Sequence, residues 1–201
     1  MRIFLASTNS GKLREYRELA SESALQIHLL PGFDQIPSFE ETAPTFAENS
    51  AGKALYYSRY EREVVLADDS GLLVPALGGA PGVWSARYAG AHATAADCVA
   101  KLLREMQGKE GSDRRARFVC VIAVARQGRV LAVTSDFAEG TLAPLPRGNN
   151  GFGYDPIFCF RGASRTWAEG PSEEKNQQSH RGKAFRKVLD LFSSPNFSSL
   201  S

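Results

Sequence analysis

The sequence predicts an α/β protein with a mixed, twisted β-sheet and helices on its faces, for three reasons. Short apolar runs typical of strands alternate with segments of helical periodicity in the first half of the chain. The strongly apolar, β-branched run 116–125 and the segment 130–137 flank the turn pair Gln127-Gly128, which predicts a β-hairpin. The chain has 201 residues, of which 43% are hydrophobic and 23% charged, and this is ordinary for one globular domain.

The first part of the chain is predicted to alternate strands and helices. Leu13, Tyr16 and Leu19 recur at helical spacing, and Thr45 with Glu48 has the spacing of a capping box. In order, we expect a strand over 3–6, a helix over 13–20, a strand over 27–30, a loop over 31–44 and a helix from 45 to about 60. This alternation is the basis of the α/β prediction.

A strand followed by two carboxylates is the feature around which the candidate site is built. Residues 64–67 predict a buried strand, which is expected to end at Asp68 and Asp69. Ser70 and Gly71 follow and predict a turn. Neighbouring carboxylates repel, so both stay ionised only beside a cation or several hydrogen-bond donors. A divalent metal or a cluster of Lys and Arg side chains would meet that need. An acidic turn without a ligand would explain the tetrapeptide equally well.

The second half of the chain predicts two tight, glycine-rich loops among further strands and helices. These loops cover 77–82 and 148–153, and Phe152 and Tyr154 beside the second offer flat faces to a ligand or to the core. The remaining elements that we expect are a helix over 94–107, an extended piece over 140–146, a strand over 157–160 and a last helix from 179 to 192. The serine-rich residues 193–201 are predicted to be a disordered tail.

Composition excludes several classes of protein. With 24 basic and 22 acidic residues the formal net charge is +2, which argues against sequence-independent attraction to nucleic acid or to membranes. The cysteines, Cys98, Cys120 and Cys159, are odd in number and form no CxxC pair, so neither a zinc ribbon nor a disulfide framework is expected. No run approaches a signal sequence or a membrane span. These features predict a protein of the reducing cytoplasm.

The polar segment Ser7 to Lys12 leads into the first predicted helix. Backbone N–H groups at a helix N-terminus attract anions, and Lys12 adds a positive charge there. The segment is not a P-loop, because the first glycine of that motif is absent and Leu13 stands where its Ser or Thr should be. The same polar residues are also good helix caps, so capping is the alternative interpretation.

Taken together, the polar loops hold carboxylates, cations and glycine-rich backbone. The carboxylates are Glu40, Glu41, Asp68 and Asp69, and the cations are Lys12, Lys53, Arg87, Lys175 and Arg181. This mixture suits a magnesium–polyphosphate complex, because Mg²⁺ binds a few carboxylates together with water and phosphate oxygens. Lys and Arg side chains would neutralise the remaining phosphate charge.

The chain resembles the inosine/xanthosine triphosphate pyrophosphatase family. Six motifs carry the resemblance, in order, from Ile3 to about Phe192: Asn9-x-x-Lys12 with Glu15; Phe46-x-Glu48-Asn49 with Lys53; Ala67-Asp68-Asp69-Ser70-Gly71-Leu72; Gly79-Ala80-Pro81-Gly82-Val83-x-Ser85-Ala86-Arg87-Tyr88; Gly151-Phe152-Gly153-Tyr154-Asp155-Pro156; and Ser179-His180-Arg181. Each motif is weak alone, but six in sequence are specific. Two departures are Thr8, where many members have Gly, and Trp84, where Tyr is common.

The resemblance implies an elongated α/β domain over residues 1–192, with two lobes and the active site in the groove between them. It implies Mg²⁺-dependent hydrolysis of ITP, dITP and XTP to the monophosphate and pyrophosphate by a homodimer. Asp69 would be the general base and a metal ligand, and Glu41 the second carboxylate on the metal. Glu40, Glu48 and Asp68 compete with Glu41 for that role. The expected substrate contacts are Ser7, Thr8, Asn9, Ser10, Gly11, Lys12, Lys53, Ser70, Phe152, Gly153, Tyr154, Asp155, Lys175, His180 and Arg181.

Three alternatives to this function stay open at the level of sequence. A pyrophosphatase for other modified nucleotides would differ only in its substrate profile. A non-catalytic nucleotide-binding module would bind ITP with Mg²⁺ and release no pyrophosphate, although paired carboxylates repel phosphate unless a metal is used. A nucleic-acid-binding protein fits worst, because the charge is nearly balanced and no basic stripe is present.

Overall fold

Residues 1–194, which the computed structural model describes, form six strands and five α-helices. The strands are β1 (Arg2–Leu5), β2 (Gln26–Leu29), β3 (Val64–Leu73), β4 (Arg115–Arg126), β5 (Arg129–Leu142) and β6 (Phe158–Phe160). The helices are α1 (Ser10–Ala20), α2 (Phe46–Tyr57), α3 (Ala95–Glu105), α4 (Ser172–Gln178) and α5 (His180–Ser193). No described helix is long and apolar enough to cross a membrane.

The strands form one mixed sheet in the order β2-β1-β3-β4-β5-β6, which confirms the predicted α/β class. β1 pairs in parallel with β2 and with β3, whereas β6 is antiparallel to β5. The predicted hairpin is also present, because β4 and β5 are neighbours joined by Gln127 and Gly128, with φ angles of 49° and 77°. Two successive positive φ angles suit the twist of a two-residue hairpin turn.

The chain divides into two compact units. The first contains residues 1–69, 120–136 and the described chain from Arg181 onward, and the second contains residues 70–119 and 137–180. In the first unit, alternate strand residues face opposite ways. Ile3 and Leu5 pack with residues of α1 and α5, whereas Phe4 packs with residues of α2. This unit is therefore a sheet with α1 and α5 on one face and α2 on the other.

The second unit has a core of its own between α3 and a group of aromatic side chains. Leu102 of α3 is fully buried in the same cluster as Phe118, Phe158 and Trp167. α3 begins at a capping box, in which Thr94 and Asp97 each accept a hydrogen bond from the backbone of the other. The helix predicted over 94–107 is thereby confirmed, with slightly shorter bounds.

The turn predicted at Ser70-Gly71 is wrong, because β3 continues through both residues to Leu73. The strand continues because its residues are almost all buried and the Leu72 N–H donates to Ser85 Oγ at 2.9 Å. Asp68 and Asp69 therefore lie inside a strand, where successive side chains point to opposite faces.

Three further differences concern the beginning of α1, an unpredicted helix and the beginning of the predicted tail. α1 begins at Ser10 instead of Leu13, so part of the predicted polar loop forms the first turn of the helix. α4 was not predicted, because its sequence SEEKNQQ has no apolar periodicity. The predicted tail over 193–201 begins within α5, which ends at Ser193, and residues 195–201 lie outside the described part of the chain.

Candidate active site

Asp68 is fully buried on the face of β3 that α1 and α5 cover. Lys12 Nζ lies 3.0 Å from Asp68 Oδ1, and Arg181 Nη2 lies 3.4 Å from Asp68 Oδ2. Burial raises the pKa of the Asp68 carboxyl, but the charges of Lys12, Arg181 and Lys53 outweigh burial and hold this pKa well below its usual range. Asp68 is therefore a permanent anion that holds two cations in place.

The Asp68 network extends deeper through Arg181. Arg181 Nη1 lies 2.5 Å from Glu15 Oε2, and both side chains are almost completely buried. Cys120 Sγ lies 3.9 Å from Asp68 Oδ2, and burial raises the pKa of this thiol to about 12. Cys120 is thus a protonated core residue. Buried charges survive in a protein interior when they are paired in this way.

Asp69 has a different environment, on the α2 side of β3. It is 6% exposed, and Asn49 Nδ2 donates a hydrogen bond to Asp69 Oδ2 at 3.0 Å. Burial and the charge of Glu41 raise the pKa of Asp69 to about 6, against the opposing effects of Asn49, Lys12 and Lys53. A carboxylate with a pKa near neutrality is suited to accept a proton during catalysis.

Glu41 lies in the loop before α2 and pairs with a lysine of that helix. Lys53 Nζ is 2.5 Å from Glu41 Oε1, and the lysine is 8% exposed. Burial lowers the pKa of Lys53, but the charges of Glu41, Asp68 and Asp69 outweigh this and raise it. Lys53 therefore carries its positive charge within reach of three carboxylates.

Asp69 and Glu41 could hold Mg²⁺ together, whereas Glu40 and Glu48 are placed less well for that role. Glu40 is exposed, and Glu48 is exposed and accepts a hydrogen bond from the Thr45 hydroxyl at 2.7 Å. The described residues hold no cluster of three or more His, Cys, Asp or Glu side chains that could bind a metal. Two carboxylates are nevertheless a donor set that Mg²⁺ accepts, since it fills its remaining positions with water and phosphate oxygens. The charge of Glu41 raises the pKa of Asp69, so the two carboxylates lie close enough to interact.

The segment Ser7 to Lys12 adopts the geometry of a helix cap. The Asn9 side chain accepts a hydrogen bond from Lys12 N at 3.1 Å, and Ser7 Oγ accepts one from Asn9 N at 3.1 Å. Thr8, Asn9 and Ser10 are exposed. Capping is therefore observed, and it leaves the N-terminus of α1 facing solvent beside Lys12.

In the second unit, Lys175 and Asp155 form the centre of another group of predicted site residues. Lys175 Nζ lies 2.5 Å from Asp155 Oδ2 and 4.8 Å from the centre of the Phe152 ring. Asp155 also accepts a hydrogen bond from Phe152 N at 2.8 Å. Gly151 has φ 75°, and a Cβ there would collide with the Asp155 carboxylate, so this loop requires glycine.

The other predicted residues of this unit are mainly held by packing. The Tyr154 hydroxyl donates to Ser85 O at 2.9 Å, and His180 stacks on Phe118 with ring centres 4.7 Å apart. Ser70 is half-buried within β3, and Gly153 follows Phe152 in the same loop with φ 63°. Trp84, one of the departures from the family pattern, is 52% exposed with the Arg87 guanidinium over its ring.

Sequence reasoning assigned no role to three residues that the structure places among these groups. Asn49 donates to Asp69, Glu15 pairs with Arg181, and Trp167 lies 5.6 Å from Lys175 Nζ. Asn49 and Glu15 belong to motifs that carried the family resemblance, so a signal was available for them. Trp167 has no comparable signal in the sequence.

Comparisons with known proteins match most of the chain. The Ham1 family model matches residues 3–191. A dITP/XTP pyrophosphatase from Geobacillus kaustophilus is 48% identical over 186 residues, which are 92% of this chain and 91% of that protein. A longer protein of the same name from Streptococcus thermophilus is 43% identical over 94% of this chain and 59% of its own length. A solved HAM1 protein from Coxiella burnetii has a TM-score of 0.83 at 42% identity, covering 96% of this chain and 98% of that one.

Proposed function

The chain belongs to the Ham1 family, and on that premise we propose that it hydrolyses non-standard purine nucleoside triphosphates such as dITP, ITP and XTP. The products would be the monophosphate and pyrophosphate, so the protein would remove these nucleotides from the cellular pool. The observation that carries the proposal is the setting of Asp69, a buried carboxylate with a pKa raised to about 6, next to Glu41 and Lys53.

The reaction that fits this setting is attack of water on the α-phosphorus. Asp69 would accept a proton from that water as the new P–O bond forms, and the bond to the bridging oxygen of the β-phosphate would break. Asn49 holds one oxygen of the Asp69 carboxylate and thereby orients it. Asp69 and Glu41 would hold Mg²⁺, which when bound supplies positive charge to the phosphates.

The lysines of the first unit would stabilise negative charge on the triphosphate. Lys12 is fixed by Asp68 and Lys53 by Glu41, so neither ammonium group has to be ordered when substrate binds. Positive groups that are already in place where charge develops are the main source of such stabilisation. The exposed N-terminus of α1 beside Lys12 offers backbone N–H groups to the same phosphates.

Selection of the base would depend on its 6-position. Hypoxanthine and xanthine carry an oxygen acceptor there, whereas adenine carries an amino donor. Donors such as His180, Arg181 and backbone N–H groups would accept the former and oppose the latter. Two donors of Arg181 already contact Glu15 and Asp68, so we expect His180 and backbone groups to contribute more.

The proposal is tested by pyrophosphate release from dITP, with and without Mg²⁺. We expect release only with the metal, and rates with dITP, ITP and XTP far above the rate with ATP at equal concentration. Binding of dITP without pyrophosphate release would identify a non-catalytic module, and equal rates with ATP would contradict the selectivity. We also propose a homodimer in the cytoplasm, and sedimentation of the purified protein tests the dimer.

A further inference from the structure

Residues 39–43 carry Glu41 and are fastened to α2 at both ends. We name this segment the carboxylate strap. The Phe39 N–H donates to the Tyr57 hydroxyl at 3.1 Å, which holds the beginning of the strap. At its end, the Ala43 N–H donates to Asn49 Oδ1 at 3.0 Å, and Asn49 Nδ2 donates to Ala43 O at 3.2 Å. Glu41 lies between these two attachments, so α2 determines where its carboxylate stands.

A glycine of α2 makes room for the strap. A Cβ on Gly52 would lie 2.7 Å from Cζ of the Phe39 ring, closer than side chains tolerate. Glycine within a helix is less stable than alanine. This position therefore sacrifices helix stability while allowing the Phe39 ring to lie directly against the helix.

The amide that holds the end of the strap also holds Asp69. Asn49 is 1% exposed, and its Nδ2 donates both to Ala43 O and to Asp69 Oδ2, at 3.2 and 3.0 Å. An amide nitrogen has two hydrogens, so these contacts use both of them. One side chain thus connects the Glu41 strap with the strand that carries Asp69.

We propose that Asn49 is a positioning residue, which fixes the Asp69 carboxylate and the Glu41 strap relative to each other so that the two carboxylates bind one divalent cation. This inference rests on the proposed function, because it assigns Asp69 and Glu41 to a shared metal. Residues that orient metal ligands typically change metal affinity or activity by about 10–100-fold when they are mutated.

The test measures binding of Mn²⁺ alone, by the electron paramagnetic resonance signal of the free ion, without nucleotide. We expect Asn49→Ala to weaken Mn²⁺ binding by about 10-fold or more. Gly52→Ala leaves the Asn49 side chain itself unchanged but pushes Phe39 and the strap away from α2, and it should weaken Mn²⁺ binding by about 2–5-fold, a smaller share of the same effect. Ala47→Ser changes an exposed residue of α2 that has no role in the proposal, and serves as the control with unchanged binding.

Steady-state kinetics with dITP provide the second readout. For Gly52→Ala we expect a higher half-saturating Mg²⁺ concentration with kcat nearly unchanged at saturation, which a general loss of folding would not produce. Because alanine favours a helix, this variant keeps the test valid even if Asn49→Ala fails to fold. Mn²⁺ binding that is unchanged in both variants would overturn the inference. A wild-type protein that binds Mn²⁺ but releases no pyrophosphate would instead contradict the proposed function.

Discussion

Asp68 and Asp69 are neighbours in the chain but occupy opposite environments. Asp68 faces α1 and α5, is fully buried, and lies within 3.4 Å of Lys12 and Arg181. Asp69 faces α2, accepts a hydrogen bond from Asn49 and is close enough to Glu41 for the two charges to interact. The pKa of Asp68 is held well below its usual range, whereas the pKa of Asp69 is raised to about 6.

The difference follows from the alternation of side chains along a strand. Within β3, the apolar residue Leu66 packs with the α1 and α5 side and Ala67 with the α2 side, and the two carboxylates continue this alternation. One dipeptide thereby supplies a permanent anion that holds cations and a carboxylate that can take up a proton. The chemistry of each carboxylate is set by the helix that it faces.

The largest expected effect is on catalysis, and it comes from Asp69→Asn. Loss of the general base should lower kcat by about 10²–10⁴-fold. The change is isosteric, and the pair of Asp68 with Lys12 remains on the other face of β3. Folding should therefore be retained, which circular dichroism checks. A kcat equal to that of the wild type would show that Asp69 is not the base.

Asp68→Asn should act mainly on stability. It removes the buried negative charge that faces Arg181 and Lys12. Removing one member of a buried charge cluster typically destabilises a protein by about 3–5 kcal/mol. Urea unfolding measures this loss, with Asp69→Asn as the matched variant one residue away. If the two variants lose equal stability, the assigned division of roles is wrong.

On the α2 side of β3, the adjacent residues Glu40 and Glu41 should differ in their effect on the Mg²⁺ dependence of the reaction. Glu41→Gln should raise the half-saturating Mg²⁺ concentration by about 10–100-fold, because it removes one carboxylate of the proposed metal pair. Glu40→Gln changes an exposed side chain and should have no such effect. Titration of pyrophosphate release with Mg²⁺ measures both. Equal sensitivity of the two variants would place the second ligand elsewhere.

Local sequence signals were sufficient for much of the fold. The Gln127-Gly128 turn and the Thr94 cap were predictable because their geometry depends on residues a few positions apart. The turn expected at Ser70-Gly71 failed because strand pairing and the contact with Ser85, 13 residues away, outweighed local turn preference.

The sequence named several of the side chains that the structure brings together, but not the environment of each. The family resemblance named Asp69, Glu41 and Lys53, and the structure places these three close enough for their charges to interact. The sequence could not show that Glu15 contacts Arg181, because 166 residues separate them in the chain. The sequence predicted that the strand ends at Asp68 and Asp69. The two side chains lie on opposite faces of β3 only because the strand continues through both residues.

The smallest expected effect concerns the pH dependence of stability in the metal-free protein. The raised pKa of Asp69 means that the folded state binds more protons than the unfolded state between the ordinary value of 3.8 and about 6. Stability should therefore fall as the pH rises through this window, because ∂ΔG/∂pH is negative wherever the folded state holds more protons. Asp68 acts in the opposite direction, since its lowered pKa makes stability fall only as the pH drops below about 4.

The Asp69 contribution can be isolated by difference. Urea unfolding in EDTA at pH 4.5 and 7.5 should show that wild-type protein loses about 1–3 kcal/mol relative to Asp69→Asn over this interval. The subtraction cancels groups that titrate in both proteins, including Asp68. A difference that stays constant with pH would mean that Asp69 has an ordinary pKa, and the contrast between the two faces of β3 would then rest on the lowered pKa of Asp68 alone.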